Sequence, residues 1–443
     1  MCDDGIKNKF KSLLMLGSVC VLMLSCSVER RISNQMNRFL RESGTFNKHH
    51  VGLAIYDLSK RKAVFKHNSD RHFIPASNAK LLTFYTSLSA LGDSVAGIRY
   101  VIRQDSLIFW GTGDPSFLQS RLKSNRVLSF LKGTNKKLFY SPGRYTGEVY
   151  GKGWAWDDYN DAYQPEINEF PVMDNLISLK VLKGGLSVEP QLFSSRLISD
   201  SARQDSVFRV VRNRDANIFS HQVFEVPDSY TQQVPYKTSQ ILTVALLESL
   251  LEKKVELISM AQPKHSDVIY SEKRDSLLKE MMVPSDNFIA EQLLLLCADA
   301  VGLEMNGTKV IAYSKQNLLY DLPDAPVWVD GSGLSRYNLL TPDAIVRLLE
   351  KIYVKVGEPE RLYNMLPAGG KSGTLKNAYP KTDQPFVFGK TGTLSNNYIQ
   401  SGYVRTKKNK TYLFSFMNNN FVVPTAAVRS EIEKMITYLH EKY

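Results

Sequence analysis

Cysteine and histidine are scarce in this sequence, with four and seven among 443 residues. Three of the cysteines, Cys2, Cys20 and Cys26, fall in the first 26 residues, and Cys297 lies in the apolar run AEQLLLLCADA. That leaves no disulfide framework, and Cys297 reads as a small buried hydrophobe. There is no H-E-x-x-H and no G-x-S-x-G, which excludes the usual zinc-peptidase and α/β-hydrolase arrangements. No metal or other cofactor is expected. Gly370-Lys371-Ser372 and Gly389-Lys390-Thr391 resemble the end of a phosphate-binding loop. The glycine that loop requires five positions earlier is replaced by Met365 and Gln384, so nucleotide binding is not expected. No apolar run reaches bilayer length. The net charge of +12 suits an anionic partner. The lysines and arginines are scattered, with no basic stripe carrying interleaved aromatics, so a nucleic-acid partner is not expected. Internal repeats are absent, and the only low-complexity tract is Asn418-Asn419-Asn420.

What is present begins with an export pattern. Lys7, Lys9 and Lys11 precede the apolar run LLMLGSVCVLML, which ends at Leu24-Ser25-Cys26. The run is too short to span a bilayer and fits the apolar region of a signal. A small residue directly before a cysteine resembles a bacterial lipoprotein processing site, with Cys26 as the lipidated first residue of the mature chain. An ordinary signal peptide or an uncleaved anchor is the alternative. The expected location is periplasmic, with a lipid anchor in the outer membrane.

The segment VERRISNQMNRFL has helical spacing, with Ile32, Met36 and Leu40 on one face. HVGLAIYDL and KAVFKHN alternate as two strands. PASNAKLLTFYTSLSALG then starts a helix at Pro75 and places Leu81, Leu82, Tyr85, Leu88 and Leu91 in phase. From about Tyr100 to Tyr230 short strand-like pieces alternate with turn clusters. Helical spacing returns over 240–257 and 275–299. The strands FVFGKTGT, YIQSGYVRT and TYLFSFMNN and a terminal helix bearing Val428, Ile432, Met435, Ile436 and Leu439 close the chain. The expected division is a signal over 1–26, one domain formed from 27–98 and 232–443, and an inserted mostly β domain over 99–231.

The chemistry sits in three short strings. Ser77 and Lys80 lie three positions apart at a helix start and share a face. A serine nucleophile needs a base, and a lysine serves if burial or a second cation lowers its pKa. S-x-x-K alone is weak, recurring at Ser59, Ser120, Ser129 and Ser276. Two further motifs give it weight: Ser285-Asp286-Asn287 before a helix, and Lys390-Thr391-Gly392-Thr393 on a strand. The ordered triple S-x-x-K, S-D-N, K-T-G is a known signature of penicillin-binding proteins and class A β-lactamases. Lys80 can accept the Ser77 proton, Ser285 can pass a proton to a leaving amine, and Asn287 can bond a substrate backbone. Lys390 is expected to stay charged, to lower the pKa of Lys80, and to hold a carboxylate with Thr391 and Thr393. Gly392 leaves room for substrate beside the strand. The N–H groups of Ser77 and Thr393 can form an oxyanion hole. A second string, Gly370-Lys371-Ser372-Gly373-Thr374, competes for the third motif. Lys390 is preferred because it follows the apolar strand FVF.

PASNAKLLT, GTGDPS, GWAWDDY, PSDNFIAEQLL, VDGSGLSRYNLLTP, LPAGGKSGTL and GKTGTLSNNYIQSGYV occur in that order. In these blocks the chain resembles the D-alanyl-D-alanine carboxypeptidase/endopeptidase family, the low-molecular-mass class C penicillin-binding proteins. The resemblance implies an α+β serine penicillin-recognising fold, a five-stranded antiparallel sheet with helices on both sides. It also implies peptidoglycan peptide stems as substrate, β-lactams as acylating inhibitors and an acyl-enzyme on Ser77. Arg336 is then a candidate for a stem carboxylate, or for a structural salt bridge. Asp157 and Asp158 are candidates for a stem amine, or form a solvated turn. The alternatives are a β-lactamase or esterase on the same fold, or a non-catalytic wall-binding lipoprotein. No E-x-x-L-N segment supports the first, and the intact lysines and serines argue against the second.

Overall fold

The computed structural model describes residues 28–122, 124–182, 185–203, 205–223 and 226–443. The apolar run, the expected processing site and Cys26 lie outside these residues.

Two distant parts of the chain build the central sheet. Its order is Val387–Leu394, Asn397–Arg405, Thr411–Asn419, His50–Asp57, Lys62–His67, antiparallel throughout. The N-terminal strand pairs with the last strand from His50 opposite Asn419 to Asp57 opposite Tyr412. These strands are buried on both faces, which explains their near-continuous apolar sequence. On one face the helix over 28–42 and the helix Thr425–Lys442 contribute Ile32, Met36, Val428, Ile432 and Met435. On the other, Lys80–Ala90, Asn287–Val301 and Pro342–Val356 supply Leu81, Phe84, Leu293 and Leu348. Asn287–Val301 is apolar almost all round and accordingly lies buried at the centre. The α+β fold expected from the motifs is the one observed.

A second five-stranded sheet has the order Val255–Leu257, Lys137–Tyr140, Ser106–Gly111, Ser94–Arg103, Asp267–Lys273. Two small three-stranded sheets accompany it, drawn from 176–235 and 197–221. All share one core, with Ile98, Phe109, Phe170, Phe193 and Leu246 in it. The inserted unit therefore runs across both expected boundaries. The one at 98/99 falls inside the strand Ser94–Arg103, which carries the chain between cores: Val95 is buried with the catalytic helices and Ile98 with the insert. The one at 231/232 falls inside Thr231–Pro235, and the strands up to Lys273 still belong to the second sheet. The helical stretch expected over 240–257 stops at Leu251, where Glu252 turns left-handed, and a strand follows. The stretch over 275–299 is two helices, Arg274–Met282 and Asn287–Val301.

Candidate active site

The break between those two helices carries Ser285. Its backbone is left-handed, with φ of 66°, a conformation costly for a residue with a Cβ. Asp286 then caps the next helix, its side chain accepting from the Ile289 N–H at 2.8 Å. This turn delivers Ser285 and Asn287 to one side of a cleft.

Ser77 occupies the 3-10 turn Ala76–Ala79, just before the helix Lys80–Ala90. Ala76 is also left-handed, with φ of 45°. Two glycines press on this turn. A Cβ on Gly333 would stand 1.9 Å from the Ala76 carbonyl oxygen, and one on Gly392 would stand 2.9 Å from the Ser77 nitrogen. Gly392 was expected to admit substrate. Its missing Cβ faces the nucleophile's own turn, with the Pro75 carbonyl also 2.7 Å away.

Lys80 is fully buried. Its Nζ lies 3.2 Å from Ser77 Oγ, 2.6 Å from Asn287 Oδ1 and 2.7 Å from the Ser332 carbonyl. Across the site, Lys390 is equally buried, and its Nζ lies 2.8 Å from Ser285 Oγ and 2.7 Å from the Thr391 carbonyl. Each serine thus has a lysine, and the first and third motifs are tied directly, because Asn78 donates to the Lys390 carbonyl at 3.3 Å.

Burial lowers the Lys80 pKa to about 8, while Asp286, Asp330 and Glu291 oppose the fall. Burial takes Lys390 well below the usual lysine range, and repulsion from Lys80 adds to it. Burial thus works against the charged form of both lysines, including Lys390, the one expected to stay charged. Lys390 faces a hydroxyl and a carbonyl and has no carboxylate partner among the described residues.

A cleft of about 630 Å³ opens over Ser77. Asn287, Tyr163, Asp158, Arg336 and Thr393 line it. Arg336 is exposed, donates to the Ser395 carbonyl at 3.3 Å and pairs with no acid among the described residues. Asp157 also borders this cleft. Thr391 bonds Thr374 at 2.7 Å, so the competing string touches the site through its last residue. Lys371 of that string lies in a separate cleft with Lys279 and Phe388.

Several residues that shape the site were not found from sequence. Asp330 accepts from Gly333 N–H at 2.8 Å, Asn338 Nδ2 at 2.7 Å and Trp154 Nε1 at 2.9 Å. Glu291 accepts from Gly331 and Ser332 N–H at 2.9 and 2.8 Å. Together they fold the Asp330–Ser335 loop so that the Ser332 carbonyl meets Lys80. Asp330 could have been suspected from an acid ahead of two glycines in VDGSG. Glu291, in a helical run of leucines, gave only the weak signal of a charge in an apolar stretch.

The model of the D-Ala-D-Ala carboxypeptidase 3 (S13) family matches residues 32–442. The chain belongs to this family. It is 23% identical to "Penicillin-sensitive carboxypeptidase A" of Dictyostelium discoideum over 85% of this chain and 83% of that protein. It is 22% identical to "D-alanyl-D-alanine carboxypeptidase DacB" of Haemophilus influenzae over 83% and 85%. The crystal structure of penicillin binding protein 4 (dacB) from Haemophilus influenzae superposes with a TM-score of 0.72 at 19% identity, covering 91% of this chain and 99% of that one. That likeness extends to the inserted unit as well as the catalytic one. Membership of the S13 family makes the chain a serine-type D-Ala-D-Ala carboxypeptidase.

Proposed function

We propose that this S13 enzyme removes the terminal D-alanine of peptidoglycan stems and cuts D-alanyl cross-links through an acyl-enzyme on Ser77, and that β-lactams acylate the same oxygen. The observation that carries the residue roles is the buried Lys80 amine 3.2 Å from Ser77 Oγ.

In the proposed sequence Lys80 takes the Ser77 proton as Oγ attacks the D-alanyl carbonyl. The carbonyl oxygen becomes an oxyanion held by the N–H groups of Ser77 and Thr393. Collapse breaks the C–N bond, and the departing nitrogen receives, through Ser285, the proton that Lys80 took from Ser77. Asn287 holds the stem backbone on the acyl side. Lys390, Thr391 and Thr393 hold the terminal carboxylate, and Arg336 receives a carboxylate further along the stem. Water then attacks the ester, its proton passes to Lys80, and Lys80 returns a proton to Ser77 Oγ as the C–O bond breaks, which frees the Ser77 hydroxyl and the neutral base. Substrate also prepares its own base: a carboxylate at Lys390 favours the charged ammonium there, and that charge repels the proton on Lys80. A fluorescent penicillin tests this reading: a peptidase keeps the label, a β-lactamase sheds it and a binder never acquires it.

The lipid anchor on Cys26 and a periplasmic, outer-membrane location are part of the same proposal. They are supported by the short apolar run ending in Ser25-Cys26 and by Ser27, rather than aspartate, after the cysteine. No helix among the described residues is long and apolar enough to cross a membrane.

A further inference from the structure

The break that carries Ser285 is spanned by a residue of the inserted unit. Arg121 lies between the strand Ser106–Gly111 and the helix Arg126–Gly133. Its Nε meets Glu280 at 3.0 Å, near the end of the helix Arg274–Met282. Its Nη2 donates to Asp286, the cap of the helix Asn287–Val301. One guanidinium thus ties the end of one helix to the start of the next, across the left-handed Ser285. A planar fork can meet two acids at once in this way, whereas an ammonium acts as a point charge.

Asp286 divides its carboxylate between two tasks. Oδ1 accepts the Ile289 N–H at 2.8 Å and starts the helix, while Oδ2 takes Arg121. The Arg121 backbone is fixed in turn, because Gln119 Oε1 accepts the Arg121 and Leu122 N–H groups at 2.6 and 2.9 Å. The Arg121 side chain is 41% exposed, so its ion pairs add little to stability and matter through position and charge. A third acid shares this corner. Asp174 is buried and faces Arg121, Asp286 and Glu280; burial, with the Asp286 charge adding to it, pushes its carboxyl up to about 7. At Lys80, burial lowers the pKa, and Asp286 is the largest charge opposing it, ahead of Asp330 and Glu291. Lys390 is the cation that faces Lys80.

We infer that Arg121 is a positioning residue for the second motif: it holds the Ser285–Asn287 turn through Glu280 and Asp286, and it offsets the Asp286 charge that acts on Lys80. The inference rests on the proposed acyl-enzyme, with Lys80 as its base. Arg121 is not among the residues lining the cleft over Ser77, so it acts through Asp286. The inserted unit then takes part in setting the catalytic geometry through one side chain.

The test follows second-order acylation of the full chain by a chromogenic β-lactam across pH. Arg121→Gln leaves the Asp286 charge unpaired, and that charge then holds the Lys80 proton more firmly. The acid limb of the rate should therefore move to higher pH by roughly 0.5–1 unit. On the limb itself that is about a three- to tenfold further loss of rate. Arg121→Lys keeps the charge but not the fork, so its limb should stay with wild type while its rate falls at every pH. The shift from Arg121→Gln should persist in an Asp174→Asn background and vanish in an Asp286→Asn background. An Arg121→Gln limb that stays in place or moves down overturns the inference. So does a shift that survives Asp286→Asn or is lost with Asp174→Asn, or an Arg121→Lys rate equal to wild type. Failure of the Lys80 reading looks different, because wild type itself would then show no acid limb.

Discussion

The Glu291 carboxylate accepts the Ser332 N–H at 2.8 Å, and the Ser332 carbonyl in turn lies 2.7 Å from the Lys80 amine. A carboxylate nearly out of water thus holds the loop that holds the base. Burial, with Asp330 beside it, pushes the Glu291 pKa up to about 7. Its negative charge is also among those that raise the pKa of Lys80.

Glu291→Gln keeps the shape but removes the charge, and presents an amide donor to one of two N–H groups. It should cost about 1–3 kcal/mol of stability. Its diagnostic effect is on pH: with one stabilising anion gone, the Lys80 pKa falls and the acid limb of β-lactam acylation moves to lower pH. Stopped-flow acylation across pH reads the shift. A limb that stays in place or moves upward contradicts the coupling.

Lys80 itself sets the wild-type profile. With a pKa of about 8, its neutral form is lost as pH falls, so acylation should drop roughly tenfold per pH unit below about pH 7. Lys80→Arg should be nearly inactive, because a guanidinium keeps its proton throughout this range. A rate that is flat from about pH 5 to 10 would show that another group is the base.

FVF reads as a buried strand ahead of Lys390, and the structure puts Lys390 against Ser285 and Lys371 in another cleft. Lys390→Ala should lose about 2–5 kcal/mol of transition-state binding toward a carboxylate-bearing β-lactam. Lys371→Ala should acylate as wild type does. Equal damage from the two, measured as second-order acylation rates, would refute the assignment.

Ser77, Lys80, Ser285, Asn287 and Lys390 were legible because each stands in a short string, with its neighbours fixing a turn, a cap or a strand. The periodic helices were legible for a related reason: Val428, Ile432 and Met435 all point to one core. The insert's boundary was not. No break in pattern marks the point between Val95 and Ile98 where a single strand leaves one core for another. Glu291 and Asp330 were missed because their partners are backbone N–H groups, which have no sequence letter. That Gly392 also makes room for the Ser77 turn was not legible for the same reason, since that turn is more than three hundred residues away in sequence.

Gly333 gives a stability prediction of this kind. Gly333→Ala places a side chain on a backbone with φ of 81°, against the Ala76 carbonyl. The backbone alone should cost about 1–3 kcal/mol, read as a lower thermal midpoint. Displacement of the Ala76–Ser77 turn should slow acylation as well. A variant with wild-type stability and rate would show that the turn does not depend on this contact.

For the anchor, Cys26→Ala should move the protein from the membrane to the soluble periplasmic fraction. Identical partitioning of variant and wild type would rule out lipidation at this cysteine.

The central claim is that Ser77 becomes the acyl-enzyme. The most direct measurement is intact-protein and peptide mass spectrometry after incubation with penicillin, on wild type and on Ser77→Ala. The account predicts one penicilloyl adduct per chain, located on the peptide containing Ser77 and retained on prolonged incubation, and none on Ser77→Ala. An adduct on a different residue, or undiminished labelling of Ser77→Ala, would contradict it.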